Sequence, residues 1–203
     1  MLHELIREIR AIAQTGLHYT RDAYDRERYE RLLEIATQLY GMESDASTEQ
    51  IEKFFFPEEG YATPKVDLRA CVVKDGKVLL VRERACGRWT LPGGWADQNE
   101  SPIEGITREV LEESGYQVEV GRLYALKDRD RHPYQPKYPV SIYKLFFTAK
   151  VTGGEALENT EISEIAFFDP ADLPELSLDR VLAEDILQGV QAAQQTGMAT
   201  PCD

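Results

Sequence analysis

Hydrophobic residues recur at three- and four-residue spacing in the first part of the chain and at two-residue spacing after Pro64, and this change of period divides the sequence. Leu2, Leu5, Ile6, Ile9 and Ile12 mark one amphipathic helix, with Gly16 as its expected end. Tyr29, Leu32, Leu33, Ala36, Leu39 and Tyr40 mark a second, which Gly41 would close. Ser47, with Gln50 three residues on, has the pattern of a capping box and opens a third, short helix from Thr48 to Phe55. Three short helices are too few to enclose a core, so their apolar stripes are expected to pack on the rest of the chain or on a second subunit. The stretch FPEEGYATPK carries two prolines and a glycine and reads as a connection. The expected organisation is a small helical domain over 1–58, a linker over 59–65 and a larger domain over 66–203.

Beyond Pro64 the pattern alternates. Val66, Leu68, Ala70 and Val72 share one strand face, Asp75-Gly76 supplies a tight turn, and Val78 to Val81 return as a second strand. Further strands are expected over Trp89–Leu91, Val118–Leu126, Val140–Val151 and Ile165–Phe168, with helices over Pro102–Ser114 and Leu178–Ala193. That order predicts an α/β fold: a mixed β-sheet sandwiched between helices, preceded by the small N-terminal helical domain.

Charge narrows the function classes. The 203 residues hold 23 Lys and Arg against 36 Asp and Glu, a net charge of −13. Nonspecific nucleic-acid binding and adhesion to anionic membranes both need a basic surface, which this balance does not supply. No apolar run approaches the roughly 20 residues of a membrane span, and the acid-bearing amphipathic start is unlike a signal peptide, so a cytoplasmic protein is expected. Cys71, Cys86 and Cys202 form no CxxC pair and the histidines are scattered, which points to reduced thiols and away from a zinc site.

The stretch GWADQNESPIEGITREVLEESGY, from Gly94 to Tyr116, carries the chemistry. Ser101 can cap a helix, Pro102 fits its first turn and Glu104 closes a capping box, so the phase of the helix is fixed. With Glu109 set at 0°, Glu113 falls at about +40° and Glu112 at about −60°, so three carboxylates share an arc of roughly 100°. Gly105 lies inside that arc, and Ile103, Ile106, Val110 and Leu111 fill the neighbouring one. Like charges at this spacing repel and need a positive partner. Oxygen-only donors of this density suit Mg²⁺ or Mn²⁺, and Arg108 can hold neighbouring carboxylates in register with its planar fork.

The same stretch resembles the Nudix box: glycine, five residues, glutamate, seven residues, then Arg-Glu-apolar-x-Glu-Glu-x-Gly-apolar. Gly94, Glu100, Arg108, Glu109, Val110, Glu112, Glu113 and Gly115 match, and Tyr116 stands where an aliphatic residue is usual. Seven fixed residues at roughly 6 % usage each make a chance match on the order of one in a million. The resemblance implies a Nudix-type sheet between helices over about two thirds of the chain, and a loop-helix-loop whose acids bind divalent cations. It also implies attack by water at phosphorus on a nucleoside diphosphate linked to a second group. By position, Glu109 and Glu113 resemble the main metal ligands, with Glu112 and Glu100 as further ligands directly or through water. In this family a general base can come from the box helix or from a loop outside it. Glu158, Glu161 and Glu164 are the outside candidates; Glu161 is favoured, and Glu164 could instead brace the box arginine.

The helical N-terminus, the FFFPEEGYATPKVD junction and the motif RWTLPGGWAD resemble a bacterial subgroup that cleaves nucleoside diphosphates linked to another moiety, including CDP-choline and ADP-ribose. That implies a homodimer through the N-terminal helices. The candidate catalytic set is therefore Glu112, Glu161 and Arg108, the metal set Glu100, Glu109, Glu112 and Glu113, and the cofactor Mg²⁺ or Mn²⁺. Arg82, Arg84 and Arg88 before the box, and Lys127 and Arg129 within a second basic run, are the candidate phosphate contacts; Trp95, Tyr134, Tyr138 and Tyr143 could stack on a base. Two rival readings remain: a nucleoside triphosphate or RNA 5′-end pyrophosphohydrolase, and a nucleotide-sensing domain without turnover.

Overall fold

The computed structural model describes residues 2–43, 60–195, 197 and 199–203. They form two compact units, Met1–Pro64 with Pro136–Ser141, and Lys65–Gln135 with Ile142–Asp203. The helix expected over Thr48–Phe55 lies outside the described residues, as does the start of the FPEEGYATPK stretch.

In the first unit, α1 (Leu2–Tyr19) packs on α2 (Ala23–Glu43). Asp22 starts α2, its Oδ1 accepting the amides of Tyr24 and Asp25 at 2.9 Å each. Neither expected glycine stop holds. α1 runs through Gly16 and α2 through Gly41, since a glycine costs a helix interior only about 1 kcal/mol. Gly16 instead admits the Tyr29 ring: a Cβ there would lie 2.5 Å from Tyr29 Cε1. Ile6, Ala36 and Tyr40 form the small core. The Tyr40 hydroxyl donates to the Lys137 carbonyl at 3.0 Å, which ties in the 136–141 segment. Leu5, Ile12 and Tyr19 stay 50–66 % exposed along the opposite side of α1, and Leu2 is 50 % exposed at its start.

The second unit carries β1 (Lys65–Lys74), β2 (Lys77–Glu83), β3 (Trp89–Thr90), α3 (Pro102–Ser114), β4 (Tyr116–Asp128), β5 (Ile142–Gly154), β6 (Ile162–Phe168) and α4 (Ala183–Gln194). The sheet is mixed, as expected. β5 lies between β1, to which it is parallel, and β4, to which it is antiparallel, while β2 pairs antiparallel with β3 and β6. The β1–β2 hairpin joins the two halves. Pro92–Ala96 then runs beside β1: Leu68 donates to the Gly94 carbonyl at 2.8 Å and Ala70 to Pro92 at 3.0 Å, while Val66 accepts from Ala96 at 2.9 Å.

The alternation in β1 feeds two cores. Leu68, Ala70 and Val72 meet Ile106 and Val110 of α3 on one face; Cys71 meets Ile186 and Val190 of α4 on the other. Each fully buried side chain of this size stabilises the fold by roughly 1.5–3 kcal/mol. α4 starts later than expected because the buried Asp185 caps it, accepting the Leu182 amide at 2.8 Å. Among the described residues no helix is long and apolar enough to cross a membrane.

Candidate active site

The ends of α3 are set as its sequence demands. The Ser101 side chain accepts the Glu104 amide at 3.3 Å and Glu104 Oε2 accepts the Ser101 amide at 2.8 Å. At the other end Gly115, with φ 75°, donates to the Leu111 carbonyl at 2.8 Å. Burial of Ile106 and Val110 then turns Glu109 and Glu113 toward the glycine pair next to β1. Gly93 donates its amide to Glu113 Oε2 at 2.8 Å. A Cβ on Gly94 would lie 2.8 Å from Glu109 Oε1, so the missing side chain is what leaves room for that carboxylate. Gly93 has φ +140°, and a Cβ there would fall 2.0 Å from the Leu68 carbonyl.

Arg108 is the hub of the acidic cluster. Its Nε and Nη2 grip Glu100 at 2.8 and 3.0 Å, Nη1 reaches Glu109 and Glu112 at 3.0 Å each, and Nη2 also reaches Asp97 at 3.3 Å. Glu100 is held below the usual glutamate range, first by this hydrogen bonding. Glu109 and Glu113 are shifted the other way, chiefly by burial, and Glu113 is pushed up to about 7 even though Arg69 and the Gly93 amide oppose the shift. On these two carboxylates of successive turns, burial outweighs the positive charge that Arg108 and Arg69 supply.

Those donors fit a hard dication. All are oxygens, and the Gly93–Gly94 cradle gives Glu109 its space. Among the described residues no three acidic, histidine or cysteine side chains already converge as a closed cage. Mg²⁺ typically takes only one or two protein carboxylates and completes its shell with water and substrate phosphates, so an open pair is the arrangement it needs.

The loop between β5 and β6 returns to the last turn of α3, where Leu157 donates to the Ser114 carbonyl at 3.1 Å. The loop backbone at Glu158 and Glu161 thus lies near that end of the helix, with the Glu158 carboxylate turned to Arg84. Glu164 braces Arg82, not the box arginine, because it faces Arg82 across the β2–β6 pairing.

The other expected cations are not an open phosphate cluster. Lys127 is 5 % exposed and donates to Asp185 at 2.7 Å; Arg129 is 1 % exposed and donates to Asp179 at 2.9 Å. Both are consumed by internal carboxylates, which sequence spacing could not show. Arg84 and Arg88 are partly exposed but pair with Glu158 at 3.1 Å and Glu175 at 2.9 Å. Tyr134 is buried on Asp185, at 2.7 Å, whereas Trp95 and Tyr143 keep exposed faces.

Three residues of this region were not among the sequence candidates: Asp97, Asn159 and Arg69. The first two are polar loop residues like their neighbours. Arg69 sits in an apolar strand, buried on Asp67 at 2.7 Å with Lys144 on the same carboxylate, and donates to the Leu91 carbonyl at 3.2 Å. A charged pair two apart inside an apolar strand was its only mark.

Comparison with known proteins gives two family matches along the chain. Residues 64–188 match the NUDIX domain, and residues 1–55 match a module described as a UDP-X-like, N-terminal oligomerisation domain. YjhB of Bacillus subtilis (strain 168), whose name carries a provisional assignment as an ADP-ribose pyrophosphatase, is 40 % identical over 177 residues, 87 % of this chain and 85 % of that protein. A crystal structure of a UDP-X diphosphatase is similar over 98 % of this chain and 97 % of its own, with 35 % identity and a TM-score of 0.63. An ADP-ribose pyrophosphatase from Streptococcus suis 89-1591 shares 35 % identity over 70 % of this chain and all of its own, with a TM-score of 0.64.

Proposed function

This chain belongs to the NUDIX family, and from that premise we propose that it hydrolyses the pyrophosphate bridge of a nucleoside diphosphate linked to a second group, X, giving a nucleoside monophosphate and phosphorylated X. The observation that carries the reading is the Glu109–Glu113 pair, set against Gly93–Gly94 and flanked by the Arg108 clamp. The similarity to the UDP-X diphosphatase over nearly the whole chain favours the diphosphate-linked class over triphosphates or RNA 5′ ends.

Glu109 and Glu113 would hold Mg²⁺ or Mn²⁺, with Glu112 and Glu100 contributing directly or through water. When bound, the cation neutralises the phosphate oxygens and supplies Lewis acidity to attack by water. Arg108 keeps Glu100, Glu109, Glu112 and Asp97 from splaying apart under their own repulsion, while the Gly93 amide holds Glu113. Glu161 accepts the proton of the attacking water from the β5–β6 loop. Arg82, Arg84 and Arg88, partly exposed although each pairs with a glutamate, stay as phosphate contacts; Lys127 and Arg129 are left out because they are buried in ion pairs. Trp95, 37 % exposed beside the glycine pair, is the aromatic best placed to stack on a base. The exposed face of α1, Leu2, Leu5, Ile12 and Tyr19, supports a homodimer through the N-terminal helices, in keeping with the module matched there.

The test is a panel of ADP-ribose, CDP-choline, UDP-sugars, nucleoside triphosphates and capped RNA, each with Mg²⁺ and with Mn²⁺, read by product mass. Monophosphate plus phosphorylated X is expected, abolished in Glu109→Gln. Pyrophosphate release from triphosphates would move the assignment to the rival hydrolase, and binding without turnover would make the chain a sensor.

A further inference from the structure

One side chain of the β5–β6 loop bonds in two directions. Asn159 Oδ1 accepts the amides of Glu161 and Ile162, both at 2.8 Å, an Asx-type turn that sets the backbone at Glu161 as β6 begins. Its Nδ2 donates to the Glu112 carbonyl at 2.6 Å. That carbonyl belongs to the last turn of α3, where four backbone acceptors have no partner within the helix. Asn159 therefore completes the helix end and shapes the loop at once.

The loop is held from its other side as well. Arg84 donates through Nε to the Asn159 carbonyl at 3.0 Å and through its own amide to the Glu161 carbonyl at 2.8 Å. With the backbone pinned between β2 and α3, the asparagine is the only one of these bonds that joins the loop to the helix through a side chain. Chemistry restricts the choice of residue. Aspartate could still accept the two loop amides, but it would set a carboxylate against the Glu112 carbonyl with no proton to share. Alanine would lose both functions.

We propose that Asn159 is a positioning residue for hydrolysis: by bonding the Glu112 carbonyl and the Glu161 amide with one amide side chain, it fixes the register of Glu161 against the acidic face of α3. The proposal rests on the reading of Glu161 as the base that deprotonates water. A base must stay within hydrogen-bond reach of its proton, and a displacement near 1 Å costs about a hundredfold in rate.

The experiment measures kcat and KM for the full-length protein with Mg²⁺ and whichever of ADP-ribose, CDP-choline or a UDP-sugar it turns over fastest. Four proteins are compared: wild type, Asn159→Asp, Glu161→Gln and the double variant. Asn159→Asp should lower kcat about ten- to a hundredfold with KM within twofold and little change in melting temperature. In the Glu161→Gln background the same change should cost less than about twofold, because the group being positioned is gone. A residue with a merely structural role would cost the same factor in both backgrounds. Full additivity in the double variant, or a near wild-type kcat in Asn159→Asp while Glu161→Gln is slow, overturns the proposal and leaves the base in place. A wild-type rate in Glu161→Gln instead removes the base reading itself, and the proposal with it; so does a wild type that turns over none of the three.

Discussion

Replacing Asp67 with asparagine tests the charge cluster beneath the glycine segment. Asp67, Arg69 and Lys144 are 3 %, 1 % and 2 % exposed, and they share one negative charge between two positive ones. Arg69 Nη2 lies 2.7 Å from Asp67 Oδ1, and Lys144 Nζ bonds Oδ2. At an effective dielectric of 20, two unit charges 2.7 Å apart attract by about 6 kcal/mol, most of which offsets the cost of taking both out of water. Burial alone would raise the Asp67 pKa, but Arg69 and Lys144 hold it well below the usual carboxylate range. Burial pushes Lys144 down to about 8 against the pull of Asp67.

Asparagine keeps the volume and removes the charge, so no cavity contributes. Arg69 cannot shed its proton and keeps only the longer-range pull of Glu113 and Glu83; Lys144 can. Breaking a buried pair in this way typically costs about 3–5 kcal/mol. For a chain of this size that lowers the melting temperature by roughly 6–20 °C. Lys144 also gives the loss a pH signature. A lysine with a lowered folded-state pKa carries its cost below that pKa and is relieved as pH rises above it. Without Asp67 the relief begins below pH 8, so the gap between Asp67→Asn and wild type should narrow from pH 6 to pH 8. The assay is thermal unfolding of both proteins across that range, with Asp67→Asn/Lys144→Met as a second variant expected to recover part of the loss. A melting temperature within 2 °C of wild type, or a gap that does not change with pH, would refute the reasoning.

Glu113, pushed up to about 7 by burial, should make the metal-free protein more stable as pH falls from 7.5 to 5.5. The sign follows from a folded-state pKa above the unfolded one: the contribution is complete below the unfolded value and is lost as pH rises through about 7, with an upper bound near 3 kcal/mol. Glu113→Gln, melted in EDTA, should abolish that slope; an unchanged slope would place the titration elsewhere. On α1, Leu5→Glu with Ile12→Glu should convert a dimer to monomer in sedimentation without loss of helix by circular dichroism, and an unaltered sedimentation coefficient would exclude that face as the contact.

Legibility in the sequence tracked the locality of the physics. α3 was readable to the residue, because Ser101, Pro102, Glu104 and Gly115 specify its ends through bonds no more than four residues apart. The acidic arc followed from the helical period; the glycine within it makes room for a side chain, Leu68 of β1, whose Cδ1 would lie 2.9 Å from a Cβ there. Gly16 and Gly41 misled for the complementary reason. A glycine stops a helix only when the next turn must go left-handed, and here one of them admits a neighbouring ring.

What stayed hidden were pairings between residues far apart in the chain. Lys127 and Arg129 looked like phosphate contacts because their partners, Asp185 and Asp179, lie some fifty residues on. Asn159 was one polar loop residue among several until its amide met a helix end 47 positions earlier. The sites of this protein are thus built in two layers. Local rules place the carboxylates on one helix face, and long-range hydrogen bonds tie that helix to its surroundings, from the Gly93 amide to the Glu113 carboxylate and from Asn159 to the Glu112 carbonyl. Substitutions in the first layer should remove activity outright, whereas those in the second should shift its rate in ways that depend on which carboxylate remains.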